Sequence, residues 1–272
     1  MRTLYVSDLD GTLLRSDERT SDYTNEVINR LVAQGMIFSY ATARSFQTSH
    51  KVTAGLNANF PLIIYNGAMI MDNRSGEFLL KNTFGTEGES IARDLIAHDV
   101  YPIVYGFVDG VEKFSYIPQR CTEAVKTFLE TRKGDRRERQ VLDADSLLEG
   151  ELFYFTCMDA KKKLEPLFEK YRERYHCVFQ QDYYRHCHWL EIMPRAASKA
   201  NAIAQLKERL GCEKLVVFGD GLNDVDMFEA ADEAYAVENA ADELKRIATA
   251  VIDSNNRDGV AKWLEKFAVF GE

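Results

Sequence analysis

Four short apolar runs in this chain each break, at the carboxyl end, into a polar cluster. Residues 4–6 (Leu4-Tyr5-Val6) run into Ser7-Asp8-Leu9-Asp10-Gly11-Thr12, and residues 37–40 run into Ala41-Thr42-Ala43-Arg44. Residues 62–65 run into Asn66-Gly67, and residues 215–218 run into Gly219-Asp220-Gly221-Leu222-Asn223-Asp224. Runs this short, bounded by turn chemistry, read as strands. Between them lie segments of helical spacing. Val27, Ile28, Leu31 and Val32 mark one face over 25–34, closed by Gly35; Ala202, Ile203, Leu206 and Leu210 mark another over 199–210, closed by Gly211. Strands alternating with helices build right-handed βαβ units, and so a parallel sheet with helices on both faces. In such a sheet all carboxyl ends lie on one edge, and ligands bind there. Four clusters far apart in sequence are therefore expected to meet in one crevice.

The middle of the chain has a different texture. Helical patterns at 90–98, 122–131 and 162–174 are separated by strand-like runs at 102–108, 111–116, 152–158, 176–180 and 183–192. Asp109-Gly110 between two such runs predicts a tight hairpin, and residues 68–80 predict another with its turn at 73–76. The charge-dense stretch 132–140 reads as a solvated loop or helix end. The fold class expected is α/β, a doubly wound parallel sheet interrupted by an inserted α+β domain. The boundaries read as 1–83 and 190–272 for the sheet domain and 84–189 for the insertion.

Asp8 and Asp10 carry the strongest chemical signal. Residues two apart on an extended segment point the same way, and two carboxylates so close repel unless a cation intervenes. Asp220 and Asp224 bring two more carboxylates from another strand end. Hard oxygen donors with few sulfur or imidazole neighbours suit Mg²⁺. Other motif readings fail: Gly11 is misplaced for a calcium loop, Asp224 stands where a dinucleotide fingerprint needs its third Gly, and no G-x-x-x-x-G-K-[ST] loop is present. Lys199 opens an amphipathic helix, where free N–H groups make a natural anion site. A rival cluster, His176-Cys177 with His186-Cys187-His188, lacks any C-x-x-C spacing and reads as strand residues rather than a metal site.

Charge narrows the partners. With 34 Lys and Arg against 43 Asp and Glu, the net charge of −9 argues against nucleic acid as the main partner. It leaves room for a small phosphorylated molecule, because a bound divalent cation reverses the local sign. No apolar run reaches the length of a membrane helix, and residues 1–6 show no secretory pattern. Five cysteines, odd in number, argue against a disulfide framework and for a reducing cytoplasmic location. Oligomeric state is left open.

These motifs resemble the haloacid dehalogenase superfamily, and within it the Cof-type phosphatases with a type IIB cap. Asp8-Leu9-Asp10-Gly11-Thr12 matches the first family motif, Thr42 the second, Lys199 the third and Gly219-Asp220-Gly221-Leu222-Asn223-Asp224 the fourth. Asn66-Gly67-Ala68 matches a step usual in this branch, and the insertion sits where such caps sit. Two positions depart from the pattern: Ala43 and Ala200 stand where Gly is usual. The resemblance implies a Rossmann-like core with a cap that closes over the site. It also implies a Mg²⁺-dependent phosphohydrolase of small metabolites, such as sugar phosphates or flavin precursors. Asp8 would be the nucleophile that becomes an aspartyl-phosphate, and Asp10 the acid and base. Asp8, Asp10 (through its carbonyl), Asp220 and Asp224 would make up the Mg²⁺ site. Asp224 and Asn223 would order its waters and the phosphate-binding Lys. Thr42 and Lys199 would bind phosphoryl oxygens. Arg44 and Asn66, at two of the strand ends, are read either as substrate contacts or as caps of those ends. A phosphosugar mutase and a non-catalytic cation-binding domain remain open alternatives.

Overall fold

The structure, a computed structural model, describes residues 2–182 and 187–270. The chain opens with β1 (Thr3–Asp8), α1 (Asp22–Ala33), β2 (Ile37–Ala41), α2 (Phe46–Val52), β3 (Pro61–Ile64), β4 (Met69–Asp72) and β5 (Phe78–Lys81). It continues through α3 (Glu87–Ala97), β6 (Ile103–Val108), β7 (Val111–Tyr116), α4 (Glu123–Glu130), β8 (Glu138–Gln140), α5 (Ala144–Leu147), β9 (Glu151–Asp159), α6 (Lys161–Tyr171), β10 (His176–Asp182) and β11 (Cys187–Met193). It closes with α7 (Lys199–Arg209), β12 (Lys214–Gly219), α8 (Val225–Glu229), β13 (Glu233–Val237), α9 (Asp242–Ile247), β14 (Ala250–Ile252) and α10 (Gly259–Phe267).

Two compact units result: Met1–Lys81 with Ser198–Glu272, and Asn82–Ala197. The sequence boundary at 189/190 differs from this. It falls inside β11, whose pairing with both β9 and β10 runs through Ile192.

The first unit is an eight-stranded sheet in the order β14-β13-β12-β1-β2-β3-β4-β5. Its first six strands are parallel, and β4 and β5 extend it as the expected hairpin. Leu4, Val6, Phe38, Ile63 and Val217 are fully buried, as a sheet covered on both faces requires. Helices begin on side-chain caps: Ser21 accepts from the Thr24 amide, Ser45 from Thr48 and Ser198 from Asn201. With β1 between β12 and β2, the carboxyl ends of these three strands lie side by side.

The second unit is a six-stranded sheet in the order β10-β11-β9-β6-β7-β8, antiparallel except where β7 meets β8. One face is closed by an apolar core in which Leu95 of α3 and Leu164 and Leu167 of α6 join Val104, Phe155, Cys157, Leu190 and Ile192. On the other, Phe128 of α4 meets Trp189 edge to face. Residues 132–137 of the charge-dense stretch form turns, in keeping with a loop, but residues 138–140 depart from that reading and form β8. Beside it Arg137 is buried, with its guanidinium 2.6 Å from both Glu112 and Asp135. Neutralising the charge within the fold lets that segment join a sheet. The five cysteines are free thiols.

Candidate active site

Asp8 ends β1 and is buried. Lys199, the first residue of α7, is buried too, and its Nζ lies 2.5 Å from Asp8 Oδ1 and 2.7 Å from Asp224 Oδ1. The other Asp224 oxygen accepts the Asp220 and Gly221 amides, both at 3.1 Å. Asp224 thus clamps the turn after β12 to the lysine. Thr12 Oγ1 donates to Asp220 Oδ1 at 2.9 Å, tying the turn after β1 to the turn after β12.

Two glycines let these turns come together. Gly11 has φ +79, and a Cβ there would stand 2.3 Å from Asp220 Oδ2. Gly67 has φ +93, and its Cβ would stand 2.2 Å from the Ser198 carbonyl oxygen, immediately before Lys199. Only glycine meets both demands at each position.

Electrostatics follow from burial. Desolvation holds the Asp8 carboxyl well above its ordinary range; Lys199 pulls it back, and Asp224 and Asp220 push it further up. Burial alone would lower the Lys199 ammonium, but Asp224 and Asp8 on either side raise it, so it stays charged. Asp220 is pushed up to about 6, chiefly by burial and against the Thr12 hydrogen bond. Three carboxylates crowded around one ammonium leave excess negative charge that a cation would relieve.

Donor chemistry fits a hard divalent ion. Asp8, Asp220 and Asp224 each offer an oxygen within 4.8 Å of the others. Asp224 already accepts from Lys199 and two amides, so the structure gives it an anchoring position behind Asp8 and Asp220. The Asp10 carboxylate is not a member of this group. It is half-exposed and bound by Arg44, whose Nε is 3.1 and 2.9 Å from its two oxygens and whose Nη2 is 2.5 Å from Oδ1. Asp8 and Asp10 therefore do not share an environment, contrary to the extended-strand expectation. The chain leaves strand geometry at once: Gly11 is left-handed and the Leu14 amide closes back on the Leu9 carbonyl at 2.8 Å.

Thr42 is fully buried just past β2. Its hydroxyl accepts the Arg44 amide at 3.1 Å, and its carbonyl accepts the Asn66 amide at 2.9 Å. Asn66 is buried in the left-handed region at φ +52, a conformation asparagine tolerates. Asn223 is exposed, with its Oδ1 over the Gly221 backbone, and the structure does not bring it to Lys199.

Sequence reasoning missed two contributors. Asn239 follows β13, donates from Nδ2 to the Gly11 carbonyl at 2.7 Å and accepts the Asn255 amide at 3.0 Å. The strand-end logic used for the other four clusters would have found it. Glu18, whose Oε2 lies 3.2 Å from Arg44 Nη2, carries no sequence signal. Of the rival cluster, His176, Cys177, Cys187 and His188 stand on β10 and β11 and join no metal-competent group among the described residues; His186 lies outside them.

The sequence model of the haloacid dehalogenase-like hydrolases matches residues 5–264. The chain belongs to this family. This haloacid dehalogenase-like hydrolase is 25% identical over 277 residues to the 5-amino-6-(5-phospho-D-ribitylamino)uracil phosphatase YitU of Bacillus subtilis, covering 97% of each chain. Among solved structures it is similar to TM0651 of Thermotoga maritima, with a TM-score of 0.78, 25% identity and coverage of 99% of this chain and 98% of that one. It also shares the fold of the subclass IIB sugar phosphatase BT4131, with a TM-score of 0.73, 20% identity and coverage of 98% and 99%. The fold is accordingly the α/β haloacid dehalogenase core with an inserted cap domain. Among the described residues no helix is long and apolar enough to cross a membrane.

Proposed function

We propose that this haloacid dehalogenase-like hydrolase is a Mg²⁺-dependent phosphatase of small phosphorylated metabolites, sugar phosphates or similar, acting through an aspartyl-phosphate. It is a phosphoric monoester hydrolase. The observation that carries the reading is the Lys199 ammonium held between Asp8 and Asp224, with Asp220 beside them, at the joined ends of β1 and β12.

Asp8 attacks the phosphorus and forms the aspartyl-phosphate while the substrate oxygen departs. Lys199 gives its charge to the transferring phosphoryl oxygens, and the Thr42 hydroxyl donates to another. Asp224 keeps Lys199 aimed and charged. Asp10 protonates the leaving alkoxide and then takes a proton from the water that hydrolyses the intermediate. Asp8, Asp220 and the Asp10 carbonyl would hold Mg²⁺, which would supply positive charge against the phosphoryl group. Positioning and electrostatics of this kind supply most of phosphoryl-transfer catalysis. The unit 82–197 is the cap and the remainder the catalytic core.

A generic phosphomonoester assay tests the reading. Phosphate release should require Mg²⁺, stop on chelation and disappear in Asp8→Asn. Unchanged turnover in that variant would contradict the nucleophile assignment.

A further inference from the structure

Arg44 engages both oxygens of Asp10 through Nε and Nη2, and the same Nη2 reaches Glu18. A carboxyl group bonded on both oxygens by one guanidinium is held facing that guanidinium, here outside the Asp8–Asp220–Asp224 group. To act, Asp10 must lift off Arg44. The backbone of Arg44 cannot follow, because its amide is bonded to Thr42 Oγ1 and its carbonyl to the Tyr65 amide at 3.0 Å. The exchange is therefore confined to side chains, and both have room: the Asp10 side chain is 50% exposed and that of Arg44 22%.

Glu18 is set in place for such an exchange. It stands at φ +57, a region that favours glycine or asparagine over a residue with a long side chain. The turn that carries it is fixed by the Glu18 amide on the Arg15 carbonyl and the Arg15 amide on the Arg19 carbonyl, both at 2.9 Å. Arg15 is in turn tied to Asp258, with Nε 3.0 Å from Oδ1. A glutamate kept at a left-handed position on a tethered turn, with its carboxylate on Arg44, points to a task for that carboxylate.

We infer that Arg44 and Glu18 form a latch on Asp10: Arg44 holds Asp10 in the arrangement seen here, and Glu18 retains Arg44 when Asp10 leaves it. Glu18 is a positioning residue that touches neither substrate nor metal. The inference rests on the reading of Asp10 as the acid. Without Glu18, Arg44 keeps Asp10 as its remaining anionic partner, and release is slower.

Leaving-group chemistry isolates the step. A sugar phosphate expels an alkoxide that needs the Asp10 proton, whereas p-nitrophenyl phosphate expels a stable anion that does not. Because Asp10 also serves as base in hydrolysing the intermediate from either ester, the phosphorylation half-reaction is read alone by rapid quench: Glu18→Gln should slow the first release of glucose from glucose 6-phosphate by about five- to tenfold, and the first release of p-nitrophenolate by less than about twofold, a small part of what a general acid contributes. Glu18→Asp should restore much of the lost rate. Glu18→Gly, which suits the left-handed backbone, should show the same kinetic defect with no loss of melting temperature. In an Arg44→Leu background, Glu18→Gln should have no further effect. Equal slowing of both esters by Glu18→Gln, no slowing of either, or undiminished slowing in the Arg44→Leu background overturns the latch. Persistent turnover in Asp8→Asn overturns the phosphatase reading instead, whatever Glu18 does.

Discussion

Lys199 Nζ and Asp8 Oδ1 stand 2.5 Å apart although 191 positions separate them in the chain, and both side chains are almost wholly buried. The pair exists because β1 and the start of α7 are brought to one edge of one sheet. Gly67 lets the loop after β3 press against the Ser198 carbonyl, and Asp224 holds the lysine from the far side.

Removing the ammonium leaves Asp8 and Asp224 buried with no positive partner. Breaking a buried ion pair from one side costs about 3–5 kcal/mol. Lys199→Met should lower stability by about that amount in metal-free denaturant unfolding, with partial recovery when Mg²⁺ is added. Its kcat should fall by about 100-fold or more. A stable variant with near-normal kcat would show that Lys199 neither balances the carboxylates nor meets the phosphoryl group.

Gly67→Ala tests the packing that places Lys199. The substitution imposes a strained φ of +93 and drives a Cβ into the Ser198 carbonyl. Strain alone costs about 1–3 kcal/mol, and a displaced Lys199 should cost up to about 100-fold in kcat. Gly76→Ala is the matched control. It has φ +74 with nothing within 4 Å of the added Cβ, so it should lose stability without losing kcat. Equal kinetic effects from both would remove the link between Gly67 and the lysine.

Sequence alone reached the strand ends because each carries its polar cluster next to an apolar run, a pattern that survives without any tertiary knowledge. Asp8, Thr42, Asp220 and Asp224 lie in such clusters, whereas Lys199 is legible as the first residue of an amphipathic helix. What it could not reach were the partners. Nothing local says that Thr12 bonds Asp220 across 208 positions, or that Arg44 takes Asp10. Period-2 reasoning put Asp8 and Asp10 on one side because it assumed the strand continued, but β1 ends at Asp8 and a helical turn begins at Leu9. β8 was hidden for a related reason: Arg137 looks solvated until Glu112, far away in the chain, is seen to neutralise it.

Glu191 in β11 gives a pH signature that belongs to the second unit. Burial raises its carboxyl from 4.5 to about 7, against a weaker opposing hydrogen bond from Tyr154. A raised carboxyl favours the neutral form in the folded state. Its contribution is complete below the ordinary carboxyl pKa and is lost as pH rises through about 7. At 1.36 kcal/mol per pKa unit, the second unit should lose roughly 3 kcal/mol between pH 4 and 8 from this group. Glu191→Gln should remove that loss. The chain has two tryptophans, Trp189 in this unit and Trp263 in the other. Trp189 fluorescence in a Trp263→Phe background reports the second unit separately. Stability of that unit rising with pH over this window, or an unchanged slope in Glu191→Gln, would contradict the assignment.

Acid quenching of the enzyme during turnover of a phosphomonoester with Mg²⁺, followed by peptide mass analysis, asks whether Asp8 carries the phosphoryl group. A phosphoryl adduct on the peptide holding Asp8, lost in Asp8→Asn and on treatment with hydroxylamine, is the predicted result. Full turnover with the Asp8 peptide unmodified at every quench time, or the adduct on another residue, would contradict covalent catalysis by Asp8.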